Sequence, residues 1–152
     1  SGLGNATRGV FGGGASSGKS DVIQYITIAS TGNASDFGNL LAAANGVTAC
    51  SDATRGVFGG GNPSASGNQN VIQYITVATT GNATDFGDLS SQRYIGGSCS
   101  DGSRGIFAGG ITTDGSGTDN VIDYITIQTT GNATDFGNLV TGKREFTALS
   151  GD

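Results

Sequence analysis

The sequence has no histidine, tryptophan or methionine, and only one proline and two cysteines in 152 residues. Without histidine, neither a Ser-His-Asp or Cys-His catalytic apparatus nor an imidazole-ligated metal site can form. Long apolar runs are also missing: the longest aliphatic stretch, Leu40–Ala44, has five residues, which excludes a membrane-spanning helix. Seven Lys and Arg residues stand against twelve Asp and Glu, so the chain lacks the basic face that nucleic-acid binding requires.

Glycine, by contrast, is abundant, with 29 residues, but it has no period of three, which excludes collagen. The length suits one domain or one small repeat array. A 19-residue segment recurs three times, beginning at Val22, Val71 and Val121, and neighbouring copies agree at 15 of 19 positions. The chain is therefore interpreted as an array of three copies.

A second block precedes each of these segments. It reads RGVFGGG from Arg8 and Arg55, and RGIFAGG from Arg104. All length variation falls between the two blocks, where the last glycine and the following valine are 8, 10 and 11 positions apart. Since one loop per copy absorbs every insertion, we expect that loop to face solvent.

The pattern within each copy is typical of β-structure. VIQYITI is rich in β-branched residues and Tyr without a helical period, and the Gly-Asn that follows, as at Gly81-Asn82, suits a hairpin turn. The RGVFGGG block predicts a second strand, and a further strand precedes it, roughly at Arg93–Ser100 in the best copy. Four strands in about 49 residues form a sheet too small to bury its own faces, so we expect neighbouring copies to stack.

This arrangement resembles a kelch repeat. Arg93 precedes the inner strand, and Phe107 to Gly110 resembles the hydrophobic strand that ends in the kelch double glycine. Tyr124 resembles the kelch Tyr of the third strand, and Phe136 stands where kelch usually has Trp. The second copy matches at Phe58, Gly60, Gly61, Tyr74 and Phe86. More narrowly, the wording RGVFGGG…YITI…TTGNATDFG is similar to repeats in virion structural proteins of marine phages, especially cyanophages.

The resemblance implies an all-β fold of kelch-like β-propeller blades, with three four-stranded repeats. We expect one repeat array over residues 1–152, with blade 1 at about 7–40, blade 2 at 41–89 and blade 3 at 90–139. Only seven residues precede Arg8, so the first copy lacks an inner strand, and residues 140–152 would complete blade 1 of the same chain or of a partner. Three blades are too few to close a ring, which predicts a head-to-tail homodimer of six blades. A β-trefoil, which also has three repeats, is the alternative.

Three further motifs look chemical. Gly13–Ser20 matches the P-loop pattern, but a strand follows it rather than the required helix, so we interpret it as a polar loop. Asp114–Asp119 resembles a calcium loop but offers too few carboxylates, and we expect no metal and no cofactor. Of the Asn-Ala-Ser/Thr sequons, three lie in the hairpin turns, where turn geometry explains the asparagine. The sequons begin at Asn5, Asn33, Asn82 and Asn132.

Charged and aromatic residues recur at fixed places in the copies. They are Arg8, Arg55 and Arg104; Tyr25, Tyr74 and Tyr124; and Asp36, Asp85 and Asp135. A scaffold repeats whereas a site usually breaks symmetry, so we expect structural roles, with one ion pair or hydrogen-bonded charge per copy. Cys50 and Cys99 occupy equivalent positions, and we expect two small buried thiols because neighbouring inner strands diverge.

The resemblance and the composition favour a non-enzymatic structural or adhesive module with a virion or extracellular location. Expected partners are copies of the chain itself, other virion proteins or cell-surface glycans, with no nucleic acid and no membrane insertion. A carbohydrate-binding lectin propeller is the alternative function, and an engineered or consensus repeat protein is an alternative origin.

Similarity to kelch proteins also implies where a ligand would bind: in the loops after the double glycine and in those leading into the inner strand. The variable loops offer Lys19, Asn62, Asn68, Asp114 and Asp119. The other loops offer Gln92, Arg93, Lys143 and Arg144. The competing interpretation is a solvated polar rim, because loop residues are polar for solubility in any case.

Overall fold

The computed structural model describes residues 1–63, 67–112 and 117–148, and these form β-strands and turns without any helix. Within those ranges, accordingly, no helix is long and apolar enough to cross a membrane. The predicted all-β class is confirmed, and every strand pair is antiparallel.

Twelve of the strands form three four-stranded sheets, one per copy. Sheet 1 contains β1 (Gly2–Gly4), β2 (Arg8–Gly12), β3 (Val22–Thr27) and β4 (Ser35–Asn39). Sheet 2 contains β6 (Thr48–Ser51), β7 (Arg55–Gly59), β9 (Val71–Thr76) and β10 (Thr84–Asp88). Sheet 3 contains β12 (Gly97–Ser100), β13 (Arg104–Ala108), β15 (Val121–Thr126) and β16 (Thr134–Asn138).

Two short strand pairs lie beside sheets 2 and 3. They are β5 (Ala44–Asn45) with β8 (Asn62–Pro63), and β11 (Arg93–Tyr94) with β14 (Ile111–Thr112). In each pair, the segment before a sheet's first strand meets the loop that follows that sheet's second strand. The three main sheets share no strand ladder, whereas the strands of a β-trefoil share one barrel, so the pairing does not fit that alternative.

The expectation that copy 1 lacks its first strand is wrong. β1 pairs with β2 in the register Gly2↔Phe11, Leu3↔Val10 and Gly4↔Gly9, and it occupies the edge predicted for residues 140–152. The sequence does not predict this strand, because a three-residue Gly-Leu-Gly segment has almost no β propensity of its own. It is held by tertiary contacts, as the Ser51 hydroxyl donates a 2.8 Å hydrogen bond to the Gly4 carbonyl.

The described part of the C-terminal segment, residues 140–148, forms no strand. It is fixed to sheet 3 by the Lys143 carbonyl, which accepts a 2.8 Å hydrogen bond from Gly110 N–H. The Phe146 ring lies against Gly97, where an added Cβ would approach the ring to 2.5 Å. Because β1 already fills that edge, the expected completion of blade 1 by residues 140–152 finds no open edge on sheet 1. The blade boundaries stay predictions.

The core lies between the sheets, because each sheet is apolar on both faces. In β7, Val57 and Phe58 are neighbours and therefore point to opposite sides. Phe58 packs into a cluster with Val10 and Phe37 of sheet 1, whereas Val57 packs into a cluster with sheet 3. Two such inter-sheet clusters hold three sheets together, as the stacking prediction requires.

The two cysteines are free thiols. Cys50 is buried in the second cluster, and its burial, with smaller contributions from Cys99 and Asp52, raises its pKa to about 12. Cys99 is only half-buried, so the expectation of two buried thiols holds for Cys50 alone.

A glycine in the fourth strand of sheets 1 and 2 lets the hairpin turn of the next copy approach. Gly87 lies at a bulge in the β9–β10 register and has φ +148°. A Cβ built there would overlap the carbonyl oxygen of Gly131, in the turn of copy 3. At this position glycine is required both by the φ and by the close contact.

We expect Gly87→Ala to lower the free energy of unfolding by about 2 kcal/mol or more, because strain and overpacking add. The matched control is Gly81→Ala, where an added Cβ meets nothing within 4 Å. That change should be neutral or slightly stabilising. Urea denaturation measures both; equal effects of the two substitutions would contradict the packing described here.

Candidate functional site

Each double glycine places its loop beside the segment that enters the next copy. Gly60 and Gly61 have φ values of +65° and +113°, which turn the chain sharply after β7. Gly61 N–H then donates a 2.9 Å hydrogen bond to the carbonyl of Arg93. The equivalent bond in copy 1 runs from Gly14 N–H to Ala44. The two loop classes predicted to carry ligand residues therefore meet at one end of the molecule.

The most charged part of this end is a buried cluster around Arg93, which lies between sheets 2 and 3. Its side chain is 4 % exposed, and its Nη1 lies 3.2 Å from Asp119 Oδ2. Its Nη2 lies 2.6 Å from Asp123 Oδ2. Among the described residues these are the two ion pairs, so one arginine neutralises two carboxylates.

Serine side chains complete the hydrogen bonding of this cluster. Ser90 donates to Asp123 Oδ2 through both its hydroxyl, at 2.9 Å, and its backbone N–H, at 3.0 Å. The Ser91 hydroxyl donates to Asp119 Oδ2 at 2.9 Å. Asp123 Oδ1 is buried with no hydrogen-bond partner in the described part of the chain, which is a cost of burying this charge.

The junction between sheets 1 and 2 fills the same positions with neutral residues. Ala44 stands in place of Arg93, and Gln69 and Gln73 stand in place of the two aspartates. Gln73 Oε1 accepts a 2.7 Å hydrogen bond from Leu41 N–H, as Asp123 does from Ser90. We therefore expect the charged and the neutral residue sets to be interchangeable ways to close a sheet-to-sheet junction.

Asp119 is held ionised in the folded protein. Burial alone would raise its pKa, but hydrogen bonds from Val121 N–H, Ser91 and Arg93 outweigh burial and lower the pKa below its usual 3.8. A carboxylate locked in this way is an acceptor and a structural anion, not a proton donor near neutral pH.

A second polar chain links the variable loops of all three copies. Lys19 Nζ donates to Asn62 Oδ1 and, at 3.0 Å, to the carbonyl of Pro63. Asn62 Nδ2 donates to Asn68 Oδ1 at 2.8 Å, and Asn68 Nδ2 donates to the Ile111 carbonyl at 2.9 Å. These three ligand candidates are therefore bound to one another.

The remaining candidates are more scattered. Gln92 is exposed at the position before Arg93, and it makes a non-covalent interaction of its own. Lys143 and Arg144 are exposed in the segment that follows sheet 3. Asp114 lies outside the described residues, and so does half of the calcium-like loop. In the described ranges, no group of three or more Cys, Asp or Glu side chains is placed to hold a metal ion.

The repeated arginines stack on the repeated tyrosines. The guanidinium carbons of Arg8, Arg55 and Arg104 lie 4.5, 4.3 and 4.6 Å from the ring centres of Tyr25, Tyr74 and Tyr124. Arg8 Nη1 also donates a 3.0 Å hydrogen bond to the Val77 carbonyl of the next copy. Arg55 does the same to Ile127. The repeated aspartates are exposed on the fourth strands.

Three equivalent grooves lie beside the hairpin turns, at positions that the sequence analysis did not select. They have volumes of about 120, 250 and 260 Å³ in copies 1, 2 and 3. Each is lined by the repeated tyrosine, the turn asparagine and a hydroxyl at Ser30, Thr79 or Thr129. A further cavity of about 290 Å³ lies among the first strands, between Ser1, Thr48, Ser98 and Phe146.

The P-loop-like segment does not build a phosphate site. Gly13–Ser20 leads directly into β3, so no helix N-terminus is available to face an anion. Lys19 instead donates to the neighbouring loop, as described above.

Sequence reasoning missed Asp123 and Ser90. The available signal was a pair of differences between copies 2 and 3. Ala44 precedes copy 2, whose strand reads VIQYIT, whereas Arg93 takes the equivalent position before copy 3, whose strand reads VIDYIT. A charge that appears together with its counter-charge in one junction predicts a buried pair. The chain matches no protein-family model and no curated protein with which it was compared.

Arg93→Ala should lower the free energy of unfolding by about 3–5 kcal/mol, because it leaves two buried carboxylates without a counter-charge. The chain supplies its own control, the triple variant Arg93→Ala/Asp119→Gln/Asp123→Gln, which copies the neutral junction. We expect the triple variant to recover most of the loss in urea denaturation. A triple variant as unstable as the single one would contradict the interchangeability of the two junctions.

Acid should weaken the same junction. Because the folded pKa of Asp119 lies below its unfolded value, its contribution is complete above the unfolded pKa of about 3.8 and is lost as the pH falls through the folded value. Unfolding free energies measured between about pH 5 and pH 2 should fall less steeply for Asp119→Asn than for the unmodified protein. Parallel curves would show that Asp119 carries no such linkage.

Proposed function

We propose that this chain is a non-enzymatic structural or adhesive module: a set of β-propeller blades that serves in a phage virion or tail fibre. The observation that carries the proposal is the use made of its polar side chains. Arg8 and Arg55 bond across sheet junctions, Arg93 binds two carboxylates of copy 3, and the candidate ligand residues Lys19 and Asn62 bond to neighbouring loops. Side chains engaged in this way stabilise a scaffold and leave little for a substrate.

Enzymatic chemistry has little support from the carboxylates. Asp119 and Asp123 are neutralised by Arg93 and hydrogen-bonded to serines. The exposed aspartates at the fourth strands repeat once per copy, whereas a catalytic pair needs two groups in different environments. A passive role in a particle fits this pattern better than catalysis.

One observation favours the alternative function, carbohydrate binding. The hairpin grooves present the same tyrosine, asparagine and hydroxyl groups in all three copies, which is how a multivalent lectin repeats its site. Against it, an arginine covers one face of each tyrosine ring, and that face is then closed to a sugar. The structural or adhesive module remains the better-supported proposal.

A glycan array with the whole chain distinguishes the two functions. A structural module, or an adhesive one whose partner is not a glycan, predicts no saturable binding to any sugar. The lectin alternative predicts binding that the variant Ser30→Ala/Thr79→Ala/Thr129→Ala weakens about fivefold per groove, since each groove loses one hydroxyl. Circular dichroism checks that this variant keeps its fold. Saturable binding with that sensitivity would overturn the structural proposal in favour of the lectin.

A further inference from the structure

The stack of three sheets ends in two apolar faces that no part of the described chain covers. On sheet 1 the outward residues are Phe11, Ile26, Ile28 and Ala34, which we name end face 1. On sheet 3 they are Ile106, Ile122, Phe136 and Leu139, which we name end face 3. Each face repeats, position by position, a face that is buried inside the stack.

The exposure of equivalent residues makes the difference clear. Phe11 is 50 % exposed, whereas Phe58 and Phe107, its equivalents in copies 2 and 3, are 0 % and 1 % exposed. At the other end, Phe136 is 55 % exposed, whereas Phe37 and Phe86 are 2 % and 3 % exposed. The aromatic side chains that are buried inside the stack are therefore half-exposed at their equivalent positions on the end faces.

Backbone hydrogen bonds show the same interruption. Inside the stack, Gly81 N–H donates to the Phe37 carbonyl at 2.7 Å, and Ala83 N–H donates to the Asn39 carbonyl at 2.8 Å. Asn39 N–H in turn donates to Asn82 Oδ1 at 3.0 Å.

The junction between sheets 2 and 3 repeats all three bonds, from Gly131 and Ala133 to the carbonyls of Phe86 and Asp88, and from Asp88 to Asn132. The equivalent donors of copy 1 and the equivalent acceptors of copy 3 lie at the end faces. They are Gly32, Asn33 and Ala34 on end face 1, and Phe136 and Asn138 on end face 3. Among the described residues they make no such bond between copies.

The backbone of end face 3 already has the shape that a junction requires. Gly137 has φ +138°, close to the +148° of Gly38 and Gly87. At Gly38 and Gly87 an added Cβ would overlap a turn carbonyl of the next copy, but at Gly137 it meets nothing within 4 Å. Gly137 thus keeps a conformation suited to glycine where no contact inside the chain needs it.

Polar side chains at the two ends also match. Gln24 on sheet 1 is exposed, whereas Gln73 at the same position is buried and accepts from Leu41 N–H. Arg104 is exposed, although Arg8 and Arg55 at its position are half-buried and donate to the next copy. Val140 is equivalent to Leu41, whose N–H binds Gln73, and Ile28 is equivalent to Val77 and Ile127, whose carbonyls bind Arg8 and Arg55.

We propose that end face 3 of one chain binds end face 1 of a second copy of the same chain, with the contacts that join sheets 1 and 2. Gly32 and Ala34 of the second copy then donate to the carbonyls of Phe136 and Asn138 in the first chain, and the first chain's Arg104 donates to the carbonyl of Ile28 in the second copy. The interface is head-to-tail, so a pair of chains uses both ends of each and closes six sheets. The pairing needs no exchange of strands, because β1 already completes sheet 1.

This inference concerns assembly, and it is independent of whether the module is structural or binds sugars. Sedimentation of the full chain over a range of concentrations, followed by native mass spectrometry, tests it. We expect a species of about 30 kDa, twice the 15.0 kDa chain. Larger head-to-tail oligomers would also support the pairing, as an open form of it. A chain that stays near 15 kDa at high micromolar concentration would overturn it.

Two substitutions locate the interface. Phe11→Ser and Phe136→Ser each remove one buried aromatic anchor, and each should weaken association by about tenfold or more. Both residues are half-exposed in the single chain, so the fold should persist, as circular dichroism can verify. The matched control is Leu41→Ser, since Leu41 is 52 % exposed but belongs to neither end face. Association lowered equally by the control and the two variants would overturn the assignment.

Mixing the two variants tests the head-to-tail arrangement. A Phe11→Ser chain keeps its end face 3, and a Phe136→Ser chain keeps its end face 1, so a mixture regains one intact interface per pair. We expect the mixture to form a 30 kDa species at concentrations where each variant alone is monomeric. If Phe136→Ser alone abolishes association and Phe11→Ser has no effect, end face 3 binds itself, and the proposed pairing is wrong.

Discussion

The fold depends on the packing of one sheet against the next, because each sheet is apolar on both of its faces. A sheet of four short strands has no interior, and the two inter-sheet clusters supply the core of the molecule. The strand bulge, the fourth-strand glycine and the hairpin turn all serve this packing. Together they let the turn of one copy reach the backbone of the previous copy and form three hydrogen bonds there.

The same constraint explains how polar residues are distributed. Residues buried between sheets must be paired, so the chain uses either Ala44 with two glutamines or Arg93 with two aspartates. The charged solution fits only the junction where both aspartates follow, because Arg93 facing two glutamines would be a buried charge without a partner.

Much of this architecture can be predicted from the sequence. The three copies, four strands per copy and stacking follow from the repeated segments, the β-branched composition of VIQYIT, the Gly-Asn turns and the variable loops. β1 could not be found, because Gly2–Gly4 carries no strand signal and is held by contacts with Phe11 and Ser51. The ligand candidates come from loops that meet at one end of the molecule, but spacing cannot show that Lys19, Asn62 and Asn68 bond to one another. That requires knowing which loops of different copies meet.

Amide hydrogen exchange at the sheet junctions tests the central claim most directly. The N–H groups of Gly81 and Gly131 lie in exposed turns, and their hydrogen bonds go to the carbonyls of Phe37 and Phe86 in the neighbouring copy. If packing between copies holds the fold together, both amides exchange no faster than the amides of the core strands, because the same opening must expose them. Exchange at the rate of an unprotected turn, with the core strands still protected, would show that each sheet stands without its neighbours and would contradict this account.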